Sequence, residues 1–230
     1  MKNMQEVQGG QTAGTDGGQS VLGSGTGARG VAGPCRIATA ERRTKETCLE
    51  VSVNLDGAGV ADISTGLPFF DHMLSALCRH SGIDLRLRAS GDLEVDAHHT
   101  VEDTGLAIGE AIGGALGGKL GIRRFASIAL PLDEALIEVA LDVSGRPFLE
   151  YGITLPHDVL ALGDPPFDPQ LAEEFWRAFT TAAMVTMHVR MISGKNTHHV
   201  LEASFKAVAR CLADAVRVEG VAVPSTKGVI

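Results

Sequence analysis

The chain has too little positive charge to hold a polyanion, no apolar run long enough to span a bilayer, and no cysteine pattern. Among its 230 residues, 28 Asp and Glu outweigh 20 Lys and Arg, for a formal net charge of −8. Duplex binding rests mainly on basic side chains meeting phosphate, so this balance argues against a nucleic-acid partner. It leaves room for a local basic pocket that takes a small phosphate. No stretch approaches the roughly 20 apolar residues that cross a membrane. The first ten residues lack the basic-then-apolar order of a secretory signal. Cys35, Cys48, Cys78 and Cys211 form no CxxC pair, and four cysteines in a chain this long do not make a disulfide framework. They read as reduced thiols of a cytoplasmic protein. The glycine-rich start contains no GxxxxGK[ST], so it is not a phosphate-cradling loop.

What is present is ordinary for a globular chain: 44% hydrophobic and 21% charged residues. A core of that size needs no disulfide or metal merely to fold. Residues 1–34 stand apart, dominated by Gly, Gln, Ser and Thr. Such a segment cannot bury enough apolar surface to offset its ordering entropy, and it is expected to be a disordered extension.

The body begins near Ile37. Leu49, Val51, Val53 and Leu55 alternate with other residues before an Asp56-Gly57 turn, which predicts a strand with one buried face. Pro68 opens an apolar helical stretch to about His80. Ile83, Leu85 and Leu87 alternate again, and a Gly- and Ala-rich helical pattern runs from His98 to Leu116. The second part repeats the order. Ile137 to Val143 alternate, a helix is expected over 168–183, Val185 to Met191 alternate, and a last helix is expected over 198–218. The expectation is therefore an α+β protein made by internal duplication. Each half reads strand, strand, helix, strand, helix, a sheet covered by helices on one face. The halves are placed at 35–128 and 129–230.

One motif supports the duplication beyond pattern. His98-His99-Thr100-Val101-Glu102 returns as His198-His199-Val200-Leu201-Glu202, 100 residues on. Residues i and i+4 share a helical face. His98 and Glu102 can therefore point at one centre, and His198 and Glu202 at another. His99 and His199 are turned about 100° around the helix and must face a different centre or partner. Imidazole with carboxylate suits Zn, Mn, Fe, Co or Ni. Two similar halves would then share two metals, each ligated from both copies. His72, in Asp71-His72 at the start of the first half's middle helix, extends the set. His80, His157 and His188 have no repeat partner and are read as structural, as are Glu50 and Glu150. Cations for an anionic ligand are available at Arg123-Arg124, Arg146, Lys206 and the 224–228 segment with Lys227.

These segments resemble the imidazoleglycerol-phosphate dehydratase family of histidine biosynthesis. The resemblance is carried by Arg43-Thr44-Lys45-Glu46-Thr47, Asn54-Leu55-Asp56-Gly57, Phe69-Phe70-Asp71-His72-Met73-Leu74 and the His98 to Gly105 run. It continues in Ser144-Gly145-Arg146-Pro147, Gly194-Lys195-Asn196-Thr197-His198-His199 and Pro224 to Gly228. It covers about residues 36–230 and implies a ribosomal protein S5 domain 2-like fold. It implies a carbon–oxygen lyase that dehydrates D-erythro-imidazole glycerol phosphate to imidazole acetol phosphate through a metal-bound imidazolate. It also implies two Mn(II) per subunit and a cytoplasmic homo-24-mer with active sites between subunits. The ligands carried over are His72, His98, His99, Glu102, His198, His199 and Glu202. The acid–base carboxylate falls on Glu46, and the substrate-binding set is Glu46, Arg124, Arg146, Lys206, Ser225, Thr226 and Lys227. One departure stands out. Aligning Asp71-His72-Met73-Leu74 with Glu173-Glu174-Phe175-Trp176 puts Glu174 where the resemblance implies a histidine. A carboxylate also ligates Mn(II), so Glu174 is read as a metal ligand that changes the site's charge by one unit, the alternative being that this metal is weakened or lost.

Overall fold

The computed structural model describes residues 36–155 and 161–230. The extension expected at 1–34, Cys35 and His157 lie outside the described residues. Each half has one strand more than the periodicity predicts. The first half runs β1 (Ile37–Arg43), β2 (Thr47–Asn54), β3 (Ala61–Ser64), α1 (Pro68–Ser81), β4 (Asp84–Gly91) and α2 (His98–Leu116). The second runs β5 (Phe125–Leu132), β6 (Ala135–Asp142), β7 (Phe148–Gly152), α3 (Leu171–Ala183), β8 (Thr186–Ser193) and α4 (Thr197–Ala215). Because β5 opens at Phe125, the second sheet starts ahead of the boundary expected at 128–129.

The two sheets have matching topology, β1-β2-β4-β3 and β5-β6-β8-β7. β2 and β6 run antiparallel to both neighbours, while β3 and β7 pair parallel to β4 and β8. A parallel pair needs a crossover rather than a tight turn, and α1 and α3 supply it. Strand β2 buries Thr47, Leu49, Val51 and Val53, and β6 buries Ala135, Ile137, Val139 and Leu141. This alternation is what the sequence makes legible. The edge strands β3 and β7 are four and five residues long and largely exposed, so they carry no strong apolar alternation.

Helix α1 has local reasons to start and stop where it does. Proline at its first position needs no N–H partner. Asp71 in the first turn accepts hydrogen bonds from Thr65 N (3.0 Å) and Thr65 Oγ1 (2.7 Å), which ties the preceding loop to the helix. Gly82 ends it in the left-handed conformation, φ 77°, with its N–H donating to Cys78 O.

Helix α2 lies on β1 and β2, and α4 on β5 and β6; across the halves, α2 packs on α3 and α1 on α4. The α2–α3 approach is close because α2 turns glycine toward its neighbour. A Cβ at Gly105 would stand 2.5 Å from Phe175 O, and one at Gly109 would stand 2.6 Å from Phe179 O. Around these contacts Phe70, Phe167, Phe175, Trp176, Phe179 and Phe205 are fully buried. Phe175 stacks on Phe205 at 5.6 Å and packs edge-on to Phe70 at 5.3 Å. Each such ring contributes about 1.5–3 kcal/mol by burial. The core is thus continuous across the duplication, and it fixes α1 against α4, the pair that carries His72 and the second histidine motif.

Candidate active site

Three ligand-type side chains converge where α1 meets the start of α4. His72, His198 and Glu202 each offer an atom within 4.8 Å of the others. Within the group, His198 Nε2 lies 3.2 Å from Glu202 Oε2, and His72 Nε2 lies 3.9 Å from Glu202 Oε1. His72 comes from the first half and the other two from the second. Phe69 packs edge-on against the His198 ring at 5.4 Å and limits its rotation. Two imidazoles and one carboxylate around a common point form a donor set that fits a divalent first-row ion. Lys206, one helical turn beyond Glu202, donates to Glu202 Oε1 at 2.8 Å. Burial opposes ionisation of Glu202. The Lys206 hydrogen bond and the charges of Lys206, His72 and His198 outweigh it and leave the carboxyl below its ordinary range.

The corresponding first-half group is more open. His98 Nε2 lies 3.7 Å from Glu102 Oε2. Glu174, aligned in sequence with His72, sits on α3, and its Oε2 is 3.4 Å from Arg177 Nε. Among the described residues the structure does not bring Glu174 into a tight cluster with His98 and Glu102. His98 instead lines a cavity of about 400 Å³ with Asp96, Asp168 and Gln170.

The second histidine of each motif faces away from the three-residue cluster, as the helical spacing requires. His99 Nδ1 donates to Asp92, with contacts of 3.1 and 3.2 Å to its carboxylate, and Glu46 Oε2 lies 3.8 Å away. His199 Nδ1 donates to Glu134 Oε2 at 2.8 Å. These bonds, with the added charge of nearby carboxylates, raise both histidines above the ordinary imidazole range. The same His199 contact holds Glu134 down to about 2. Glu46 is set by a chain of hydroxyls. Its N–H and that of Thr47 donate to Thr44 Oγ1, the Thr44 and Thr47 hydroxyls bond at 3.1 Å, and Thr47 Oγ1 donates to the buried Asp103 of α2.

A second feature is cationic. Arg124, Ser144, Gly145, Arg146 and the 224–227 segment, with Ser225, Thr226 and Lys227, line a cavity of about 830 Å³. Arg124 is already engaged: its guanidinium meets Asp142 at 2.7 and 3.2 Å, and its Nη1 donates to Pro224 O at 2.8 Å. The Asp142 bond raises its basicity further. Arg124 therefore pins the final segment over the cavity. No member of the His72 cluster lines this cavity, and neither does Lys206.

Sequence reasoning placed His72 and both histidine motifs on helices, as the structure has them, but missed the carboxylates that hold His99, His199 and Thr47. Asp92 follows β4 directly, Glu134 ends the β5–β6 turn, and Asp103 follows Glu102. The only available signal was positional, since Glu134 stands before β6 as Glu46 stands before β2.

The imidazoleglycerol-phosphate dehydratase family model matches residues 65–212. The chain is 51% identical over 196 residues to the imidazoleglycerol-phosphate dehydratase of Acidothermus cellulolyticus, covering 85% of this chain and 93% of that protein. It is 52% identical over 199 residues to that of Symbiobacterium thermophilum, with 85% and 93% covered. The crystal structure of the Staphylococcus aureus dehydratase superposes with a TM-score of 0.71 at 36% identity, covering 80% of this chain and 99% of that one. The Pyrococcus furiosus enzyme, solved in complex with (S)-C348, gives 0.68 at 33% identity, covering 83% and 99%.

Proposed function

The chain belongs to the imidazoleglycerol-phosphate dehydratase family of histidine biosynthesis, and on that premise we propose that it converts D-erythro-imidazole glycerol phosphate to imidazole acetol phosphate. The observation that carries the reading is the convergence of His72 with His198 and Glu202 across the two halves, in a chain that also builds a cation-lined cavity. A bare metal-binding module needs no such cavity. An enzyme for a phosphorylated imidazole needs both.

The ligands assigned to one Mn(II) are His72, His198 and Glu202, and those assigned to the second are His98, Glu102 and Glu174. His99 and His199 face away from the three-residue cluster and are assigned to ions held by neighbouring copies. That no member of the His72 cluster lines the cationic cavity of its own chain supports an active site completed between subunits; the assembly proposed is a cytoplasmic homo-24-mer. When bound, the metal would supply Lewis acidity that favours loss of the substrate's imidazole N–H proton.

The chain's own groups do the rest. Arg146, Lys227, Ser225 and Thr226 grip the phosphate, with Arg124 holding their segment in place. Lys206, which does not line the cationic cavity in its own chain, is assigned to the phosphate of a site completed by a neighbouring copy. Orientation of this kind can contribute roughly 7–11 kcal/mol of barrier reduction. Glu46, exposed and fixed at its backbone by Thr44, moves the proton at the substrate's side chain.

The experiment is turnover of the substrate by metal-stripped protein while Mn(II) is added back and bound metal per chain is counted. Dehydration that rises with Mn(II) to two ions per chain supports the reading. No turnover, or release of inorganic phosphate instead of an intact phosphorylated product, overturns it.

A further inference from the structure

Equivalent hairpin turns of the two halves carry carboxylates with different partners. Glu46 immediately precedes β2, and Glu134 immediately precedes β6. Each faces the second histidine of its own half's motif. In the second half His199 Nδ1 donates to Glu134 Oε2 at 2.8 Å. The other oxygen, Glu134 Oε1, accepts the N–H groups of Asn196 (2.8 Å) and Lys195 (3.2 Å), which lead into α4. In the first half Glu46 stands back at 3.8 Å, and Asp92 takes the ring at 3.1 Å.

The difference has a local cause. Asp92 is the first residue after β4, and the first residue after β8 is Gly194. Gly194 is the counterpart of Gly91, the last residue of β4: a Cβ at Gly91 would run into Thr100 and one at Gly194 into Val200, and where Asp92 follows Gly91, Lys195 follows Gly194. The second half therefore has no carboxylate at the strand end, and its hairpin carboxylate holds the imidazole. The first half has one at the strand end, so its hairpin carboxylate is left over.

A neutral imidazole donates from one ring nitrogen only. With Nδ1–H committed to a carboxylate, Nε2 is the bare nitrogen, aimed and made more basic by the partner behind it. We infer that Glu134 and Asp92 are the positioning residues of His199 and His99, and that Asp92 frees Glu46 from that task so that it can act on substrate. The inference rests on the reading of His99 and His199 as metal ligands. It assigns the halves unequal work despite their common origin: both present a histidine, and only the first keeps a spare carboxylate beside it.

The test is Mn(II) titration of the full-length, metal-stripped protein, with free ion read from its electron paramagnetic resonance signal. Glu134→Ala is expected to weaken Mn(II) binding about 10- to 100-fold, and Asp92→Ala likewise. Glu134→Gln keeps an acceptor for Nδ1–H and is expected to recover a large part of the loss. In a His199→Ala background, Glu134→Ala should add little, because both changes remove one interaction. Glu46→Gln should leave Mn(II) binding as it is in the parent. Parent-like binding by Glu134→Ala, alongside weakened binding by His199→Ala, would overturn the inference and leave the ligand reading standing. A full Glu134→Ala effect that persists without His199 would also overturn it, as would loss of Mn(II) affinity in Glu46→Gln. Parent-like binding by His199→Ala would remove the ligand reading and the inference together.

Discussion

His72 on α1 lies 3.9 Å from Glu202 on α4, so a histidine of the first half completes the His–Glu pair of the second. The cluster exists only because the aromatic core holds α1 against α4. It follows that Glu202→Gln, which keeps shape and removes charge, should weaken Mn(II) binding by ~10-fold or more. Its far-ultraviolet circular dichroism should match the parent. Mn(II) affinity equal to the parent would take Glu202 out of the ligand set.

Glu46 is predicted to matter to chemistry and not to metal. Glu46→Gln should retain the full complement of Mn(II) and lose about 10²- to 10⁴-fold in turnover, the usual scale for a positioned acid–base group. Steady-state kinetics with metal analysis on the same sample decides this, and unchanged turnover removes Glu46 from the mechanism.

Glu174 is held 3.4 Å from Arg177 rather than in a tight ligand cluster. Replacing it with histidine restores symmetry with His72 and releases the ion pair. Glu174→His is therefore expected to preserve or raise Mn(II) affinity. A clear loss of affinity in a metal titration would show that the carboxylate is the ligand this site needs.

The glycines of α2 should respond in opposite directions according to what they face. Gly109→Ala gains helix propensity worth about 0.5–1 kcal/mol, but its Cβ would lie 2.6 Å from the backbone oxygen of Phe179. Overpacking against backbone costs about 1–3 kcal/mol, so the net effect is a lower melting temperature. Gly113 has its nearest neighbour at 3.7 Å, so Gly113→Ala should be neutral or stabilising. Calorimetry on the two variants reads the sign directly.

Asp84 gives a pH signature away from the site. Its carboxylate accepts from Val60 N and Ala58 N, both at 2.8 Å, and from Asn54 at 3.3 Å. Led by the Val60 bond, these contacts hold its pKa below the ordinary 3.8 despite some opposing burial. A depressed folded-state pKa means the contribution is complete above the unfolded value and is lost as pH falls through the folded one. Asp84→Asn should therefore lower the urea midpoint at neutral pH, and the gap should narrow as pH drops below 3.8. A gap independent of pH would mean the charge is not what stabilises the loop.

Much of this protein is legible in its sequence because the information is periodic and local. The alternation in β2 and β6 reflects one buried face, and the start of α1 follows from Pro68. The duplication shows in the repeated HHxxE, whose spacing also sends His99 and His199 away from His98 and His198. What the sequence did not reveal is what depends on distance along the chain. Strands β3 and β7 are short, exposed and held by parallel pairing, so no apolar period marks them. Nothing in the sequence of α4 says that His72, more than a hundred residues earlier, stands beside Glu202. The α1–α4 packing decides that. Nor does composition distinguish Asp92 and Glu134 from other acidic residues. Two halves with the same strand order bring them to the same imidazole nitrogen from different loops, because Lys195 follows Gly194 where Asp92 follows Gly91. Residue type and spacing set which groups could ligate a metal. Tertiary packing set which of them meet, and which carboxylate stands behind each.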